Sequence, residues 1–109
     1  MSPVDRASLA ARLVAEGLQT TTWSNLPGDR YERHIHQDYD KVVVAIEGSI
    51  TFGLTGYGIG FVLTPGERLD LPANVEHDAV VGPKGVTCYE AHLPPGTLGT
   101  KARGRGYRW

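Results

Sequence analysis

The period of the apolar positions changes once along this chain. Val4, Ala7, Leu9, Ala10, Leu13, Val14 and Leu18 recur at three- and four-residue intervals, the spacing of one helix face. Ser2 suits a helix cap, Pro3 the first helical position, and Asp5 complements the helix dipole. Gly17 can adopt the left-handed conformation that closes a helix. The spacing predicts an amphipathic helix within residues 1–18, packed on the rest of the domain or on a partner subunit.

From Gln19 onward the period shortens. Thr20 to Trp23 is rich in β-branched residues and reads as a strand, followed by a turn over Asn25 to Asp29. Tyr31 to His36 forms a second predicted strand and Gln37 to Asp40 a polar corner. Lys41 to Ile46 reads as a buried strand, with a tight turn at Glu47-Gly48 into Ser49 to Leu54. A hairpin loop over Thr55 to Gly58 leads to Ile59 to Leu63, and Thr64 to Glu67 is another turn. Arg68 to Leu71, Val75 to Val81 and Val86 to Leu93 complete the strands, with a turn over Gly82 to Gly85 between the last two. About eight short strands at turn-punctuated intervals predict an all-β antiparallel barrel or jelly roll.

Composition agrees with that reading. A chain of 109 residues holds one core, and 14 glycines with 7 prolines supply many turns. The predicted organisation is a helix over 1–18, a barrel over 19–100 and a basic tail over 101–109. No apolar run reaches eighteen residues and no secretory signal is visible, so a cytoplasmic setting without membrane insertion is expected. A single cysteine, Cys88, excludes an internal disulfide framework and reads as a small buried hydrophobe. The net charge of −1 is unevenly placed: the last nine residues carry four basic side chains and no acid. The acidic remainder argues against general nucleic-acid binding. The tail is expected to be a solvated end, or to dock on the acidic body of its own or a neighbouring subunit.

The chemistry concentrates in three histidines. His34 and His36 stand two apart on a predicted strand, which places both rings on one face. His77 follows the proline-led turn Pro72-Ala73-Asn74 and can fold back beside them. Three convergent neutral imidazoles suit a divalent transition metal. The glycine-rich stretch Gly53 to Gly60 lacks the Lys-Ser/Thr ending and the strand-to-helix context of a phosphate loop.

These residues carry a resemblance. The run from His34 through Lys41 to Gly48 resembles the first motif of the cupins: two histidines one residue apart, a glutamate, then a glycine seven residues on. The run Gly66 to His77 resembles the second motif, with glycine, proline and histidine at the matching intervals in Gly66, Pro72 and His77. The resemblance covers roughly Trp23 to Leu93. It implies a cupin-type barrel, a homodimer, and a metal (iron, manganese, nickel or zinc) held by His34, His36 and His77. Cupins with three histidines and no glutamate include dioxygenases, so the resemblance implies a metal-dependent enzyme acting on a small molecule. The alternative it leaves open is a non-catalytic ligand-binding or sensor barrel without metal.

The chain departs from the motifs at two positions. Asn74 replaces a common glycine, a mild change because Asn tolerates positive φ. Lys41 stands where the glutamate ligand usually stands. An ammonium about 5 Å from a dication costs about 6–7 kcal/mol at an effective dielectric of about 20. Lys41 therefore turns away to pair with Asp40 or Glu90, loses its proton, or displaces the metal. The first outcome is expected, with the charge snorkelling outward. Glu90 and His92 share a strand face and either line the pocket or lie at the barrel mouth. Tyr31 and Trp23 either line the barrel or fill its core, and core packing is expected.

Overall fold

The computed structural model describes residues 5–106 and residue 109. One helix, α1 (Arg6–Ala15), precedes seven strands: β1 (Thr20–Asn25), β2 (Arg30–His34), β3 (Asp40–Leu54), β4 (Phe61–Leu63), β5 (Arg68–Leu71), β6 (His77–Leu93) and β7 (Arg103–Arg105). Every strand pairing is antiparallel, as the short-strand pattern predicts. The central order is β1-β6-β3-β5-β7, with β2 also on β6 and β4 also on β3. The ladder does not close on itself, and the architecture is a jelly roll with one N-terminal helix. No helix among the described residues is long and apolar enough to cross a membrane.

The helix starts where its cap is satisfied. Asp5 is the N-cap and accepts from the Ala7 N–H at 3.0 Å, while the expected Ser2-Pro3 start lies outside the described residues. The other end closes as a Schellman motif. Gly17, at φ +81, donates to Val14 C=O at 2.8 Å, and Leu18 donates to Leu13 C=O at 3.1 Å. Leu18 then packs with Leu9 and Leu13 against Val42, Val44, Ile46 and Ala91 of the sheet. Each such buried leucine contributes about 1.5–3 kcal/mol. The helix thus packs on the barrel of its own chain.

Strand β3 is buried on both faces, which explains its unbroken apolar run. Val42, Val44 and Ile46 face the helix, whereas Val43 and Ala45 face the barrel interior with Leu69, Leu71 and Cys88. Cys88 is fully buried there, and burial pushes its thiol pKa up to about 12. The thiol is inert at neutral pH.

Two predicted turns are corrected. Glu47-Gly48 and Gly82 to Gly85 do not end strands; they are irregularities within the long strands β3 and β6. The ladder passes from Gly48–Val86 to Ile50–Val81, so four residues of β6 bulge opposite Ser49. Gly48 has φ +68, and a side chain there would collide with the Gly85 carbonyl. The paired irregularity lets each long strand serve two partners. The half of β6 beyond it pairs with β1, and the half before it pairs with β2.

The tail adds a strand that its composition did not predict. Arg103 to Arg105 pair with β5, and the Trp109 indole N–H donates to Gly66 C=O at 2.8 Å. Of the two docking surfaces expected for the tail, it uses its own chain.

Candidate metal centre

Backbone pairing brings the three histidines together. His34 ends β2 and lies directly opposite His77, the first residue of β6. His36 is not on the strand, as expected, but two residues beyond its end. A second device holds it in place: its C=O accepts from Asn74 N–H at 2.8 Å. Asn74 has φ +69, so the turn after Pro72 uses the positive-φ tolerance that the sequence pointed to.

The imidazoles lie with centroids 4.7 Å apart for His34–His36, 4.3 Å for His34–His77 and 5.2 Å for His36–His77. One ligand nitrogen from each falls within 4.8 Å of the others, so the cluster could hold a metal ion. His34 Nε2 and His36 Nε2 are 3.2 Å apart. Two ligands of one ion at bonds of about 2.1 Å stand about 3.0–3.4 Å apart.

For His77 and His34, hydrogen bonding fixes which nitrogen faces the centre. His77 Nδ1 is 2.9 Å from Val75 C=O, and a carbonyl only accepts, so Nδ1 carries the proton. His34 Nδ1 donates in the same way to Glu32 C=O. His36 Nδ1 is 2.8 Å from the Tyr39 hydroxyl. Each Nδ1 is thus held by a protein oxygen, the arrangement that orients metal-ligating histidines. His77 Nε2 is left buried with no hydrogen-bond partner among the described residues. A buried acceptor without a donor costs about 1–3 kcal/mol, a cost that a coordinated cation removes. The residues present therefore fit a metal.

Electrostatics favour the neutral form of His36 and His77. Burial, then the Lys41 ammonium and the other two histidines, lower the His36 pKa to about 4. Burial also lowers that of His77, helped by Lys41 and opposed by the bond to Val75. Neutral imidazole is the ligating form.

The cluster opens into a cavity of about 370 Å³. Trp23, Tyr31, Ile50, Phe52 and Ala79 form its apolar wall, and Lys41, Glu90 and Tyr39 its polar one. Trp23 and Tyr31 line the cavity, and Trp23 also packs against the interior core as expected; both carry polar ends with partners. Trp23 Nε1 donates to Glu90 at 3.0 Å, and Tyr31 O–H donates to Asn25 Oδ1.

Lys41 pairs with Glu90, one of the two expected carboxylates, at 3.7 Å. It does not snorkel outward: its side chain is 12% exposed and lines the cavity. Asp40, the other expected partner, is fully buried and points elsewhere, accepting from the N–H groups of Ala73, Gly96 and Leu98 at 2.8, 3.3 and 2.7 Å. Glu90 lines the cavity but is not in the three-histidine cluster. His92 lies outside the cavity lining, half-exposed, bonded to Glu90 at 2.7 Å and stacked on Tyr39 at 3.9 Å. Tyr39 escaped the sequence reading because it lies in a polar corner. Its spacing of three residues from His36 was the available signal.

Comparison with known proteins places the fold. The sequence matches no protein-family profile and no curated protein. Among solved structures it is similar to a cupin-2 domain protein from Shewanella frigidimarina, at 22% identity and a TM-score of 0.57, over 70% of this chain and 69% of that one. KdgF from a Halomonas species is similar at 21% identity and a TM-score of 0.58, over 69% and 68% of the two chains. A variant of oxalate decarboxylase from Bacillus subtilis is similar at 15% identity and a TM-score of 0.58, over 79% of this chain but 24% of that one. The chain has the cupin fold.

Proposed function

We propose that this chain binds one divalent transition metal (iron, manganese, nickel or zinc) through Nε2 of His34, His36 and His77, and that the site serves a small molecule in the adjoining cavity. The observation that carries this reading is the buried Nε2 of His77, which has no hydrogen-bond partner among the described residues while Nδ1 is occupied. A bound ion would act as a Lewis acid toward a cavity ligand. The chain's own residues orient and enclose. The Val75 and Glu32 carbonyls hold the tautomers of His77 and His34 and Tyr39 holds the His36 ring, while Trp23, Tyr31 and Phe52 keep water from one side of the cavity. The likeness to oxalate decarboxylase supports an enzymatic use over a purely structural one, and dioxygenase-like chemistry rests on the three-histidine resemblance alone. A cytoplasmic location is supported by the lone buried Cys88. A homodimer through an edge is supported by β1, which ends the sheet with no second strand partner among the described residues.

The test is elemental mass spectrometry of untagged protein beside His77→Ala. Near one metal per chain in the parent and near none in the variant is the expected outcome. No uptake after adding iron, manganese, nickel or zinc would overturn the reading. It would favour the second one, a metal-free ligand-binding module, which the Lys41 ammonium in the same cavity supports.

A further inference from the structure

We propose that the cavity takes a small carboxylate with a flat apolar body, its anionic group facing both the three-histidine centre and Lys41; this inference rests on the metal-binding reading above. The argument begins with charge. The three ligands are neutral imidazoles and no carboxylate belongs to their cluster. A dication there would keep its full charge inside a half-enclosed space. Glu90, the one acid lining the cavity, offsets only the charge of Lys41. The filled site lacks about two negative charges, and an anion supplies them at close range, where attraction is strong.

Hydrogen-bonding capacity points the same way. Glu90 is already engaged: Oε1 accepts from Trp23 Nε1 at 3.0 Å and Oε2 contacts His92 Nε2 at 2.7 Å. Lys41 Nζ stands 3.7 Å from Oε1, beyond hydrogen-bond length. Among the described residues the Lys41 side chain makes no hydrogen bond. Its ammonium has three donors to give, its side chain is 12% exposed, and it lines the cavity. An acceptor with negative charge is its natural complement.

The remaining wall selects the body of the ligand. Trp23, Tyr31, Ile50, Phe52 and Ala79 present rings and aliphatic surface. A polyhydroxylated ligand would leave hydroxyls unpaired against Ile50 and Phe52. At about 370 Å³ the cavity lies at the small end of ligand pockets and suits a single ring.

Benzoate, benzamide and acetate separate these claims by titration calorimetry on protein whose metal content is known. Benzoate should bind roughly tenfold or more tightly than benzamide, which lacks the charge, and more tightly than acetate, which lacks the ring. Lys41→Met should cut the preference for benzoate over benzamide roughly threefold or more, and Glu90→Gln should raise it. Equal binding of benzoate and benzamide would overturn the proposal. So would an unchanged preference in a Lys41→Met protein that still melts cooperatively. Acetate binding as tightly as benzoate would overturn the apolar half. Should Lys41→Met not fold, Glu90→Gln decides: a raised preference supports the proposal and an unchanged one overturns it. Failure of the metal reading shows separately, as absent metal. The same titration on metal-free protein then decides, since a benzoate preference lost in Lys41→Met supports the anion site and no preference ends it.

Discussion

Two buried cations occupy one antiparallel ladder and are treated in opposite ways. Arg68 on β5 lies opposite Val44, and Lys41 on β3 lies opposite Leu71. Arg68 is 2% exposed and closely paired: it donates to Asp70 at 2.6 Å and to Glu16 at 2.7 Å, and it sits 4.8 Å over the Trp109 ring. Asp70 takes a further bond from Arg105 at 2.9 Å. Lys41 has a single partner at 3.7 Å and unused donors. The planar fork of arginine suits a closed network, and the point charge of lysine suits a loose contact. The contrast separates two uses of buried charge. Around Arg68 the protein supplies two carboxylates and an aromatic ring, and the charge is architecture. Around Lys41 it does not, and the charge is left for something that enters the cavity.

Removing each cation is the direct way to break this contrast. Arg68→Met would leave buried Asp70 with Arg105 alone and should lower unfolding free energy by about 3 kcal/mol, the lower end of the usual cost of breaking a buried pair. Urea denaturation measures it. A loss under about 1 kcal/mol would mean that the Arg68 network is not structural.

Next in size comes Asp40, the immediate neighbour of Lys41 on β3, which the protein saturates with backbone donors. Asp40→Asn should cost about 1.5–3 kcal/mol at pH 7. Burial alone would raise the Asp40 pKa, but N–H donors from Ala73, Leu98, Gly96 and Thr97 outweigh it and hold the value below the usual 3.8. Its stabilisation is therefore fully present above the unfolded-state pKa and is lost as pH falls through the lower folded-state value. The gap between parent and Asp40→Asn in urea midpoints should shrink below about pH 4. A gap that stays constant into acid would remove Asp40 from the saturated class.

Smallest is Lys41→Met. An apolar side chain of similar length replaces an ammonium with no hydrogen bond, so stability should stay within about 1 kcal/mol of the parent, or rise. A loss as large as that of Arg68→Met would erase the comparison. Glu90 keeps Trp23 and His92 as donors in this variant, which is why the change is tolerable.

The sequence carried the histidine cluster because three spaced residues and one turn determine it. His34 opposite His77 follows from pairing β2 with β6, and the Asn74 turn is local chemistry. The helix was legible through its apolar face and Gly17. The partner of Lys41 was narrowed to two acids, and Glu90 is the one used. What failed to show was set by distant pairing. Gly48 and Gly82 to Gly85 have the composition of turns, yet β3 and β6 continue through them because each holds the other in register. Strand β7 contains two arginines and a glycine, so only the neighbouring β5 edge and the Asp70 carboxylate make it a strand. Asp40 looked like part of a polar corner because its donors come from residues 73, 96 and 98.

The long β3–β6 ladder also implies an order of folding. Its partners run from Leu54–His77, with the shortest intervening chain, to Asp40–Leu93, with the longest. The entropy of loop closure therefore favours starting at the His77 end and zipping toward the segment that docks α1. His77 is set in place by the first contacts of that zipper, whereas His34 waits for the later arrival of β2. The histidine pocket is thus assembled from an early wall and a late one.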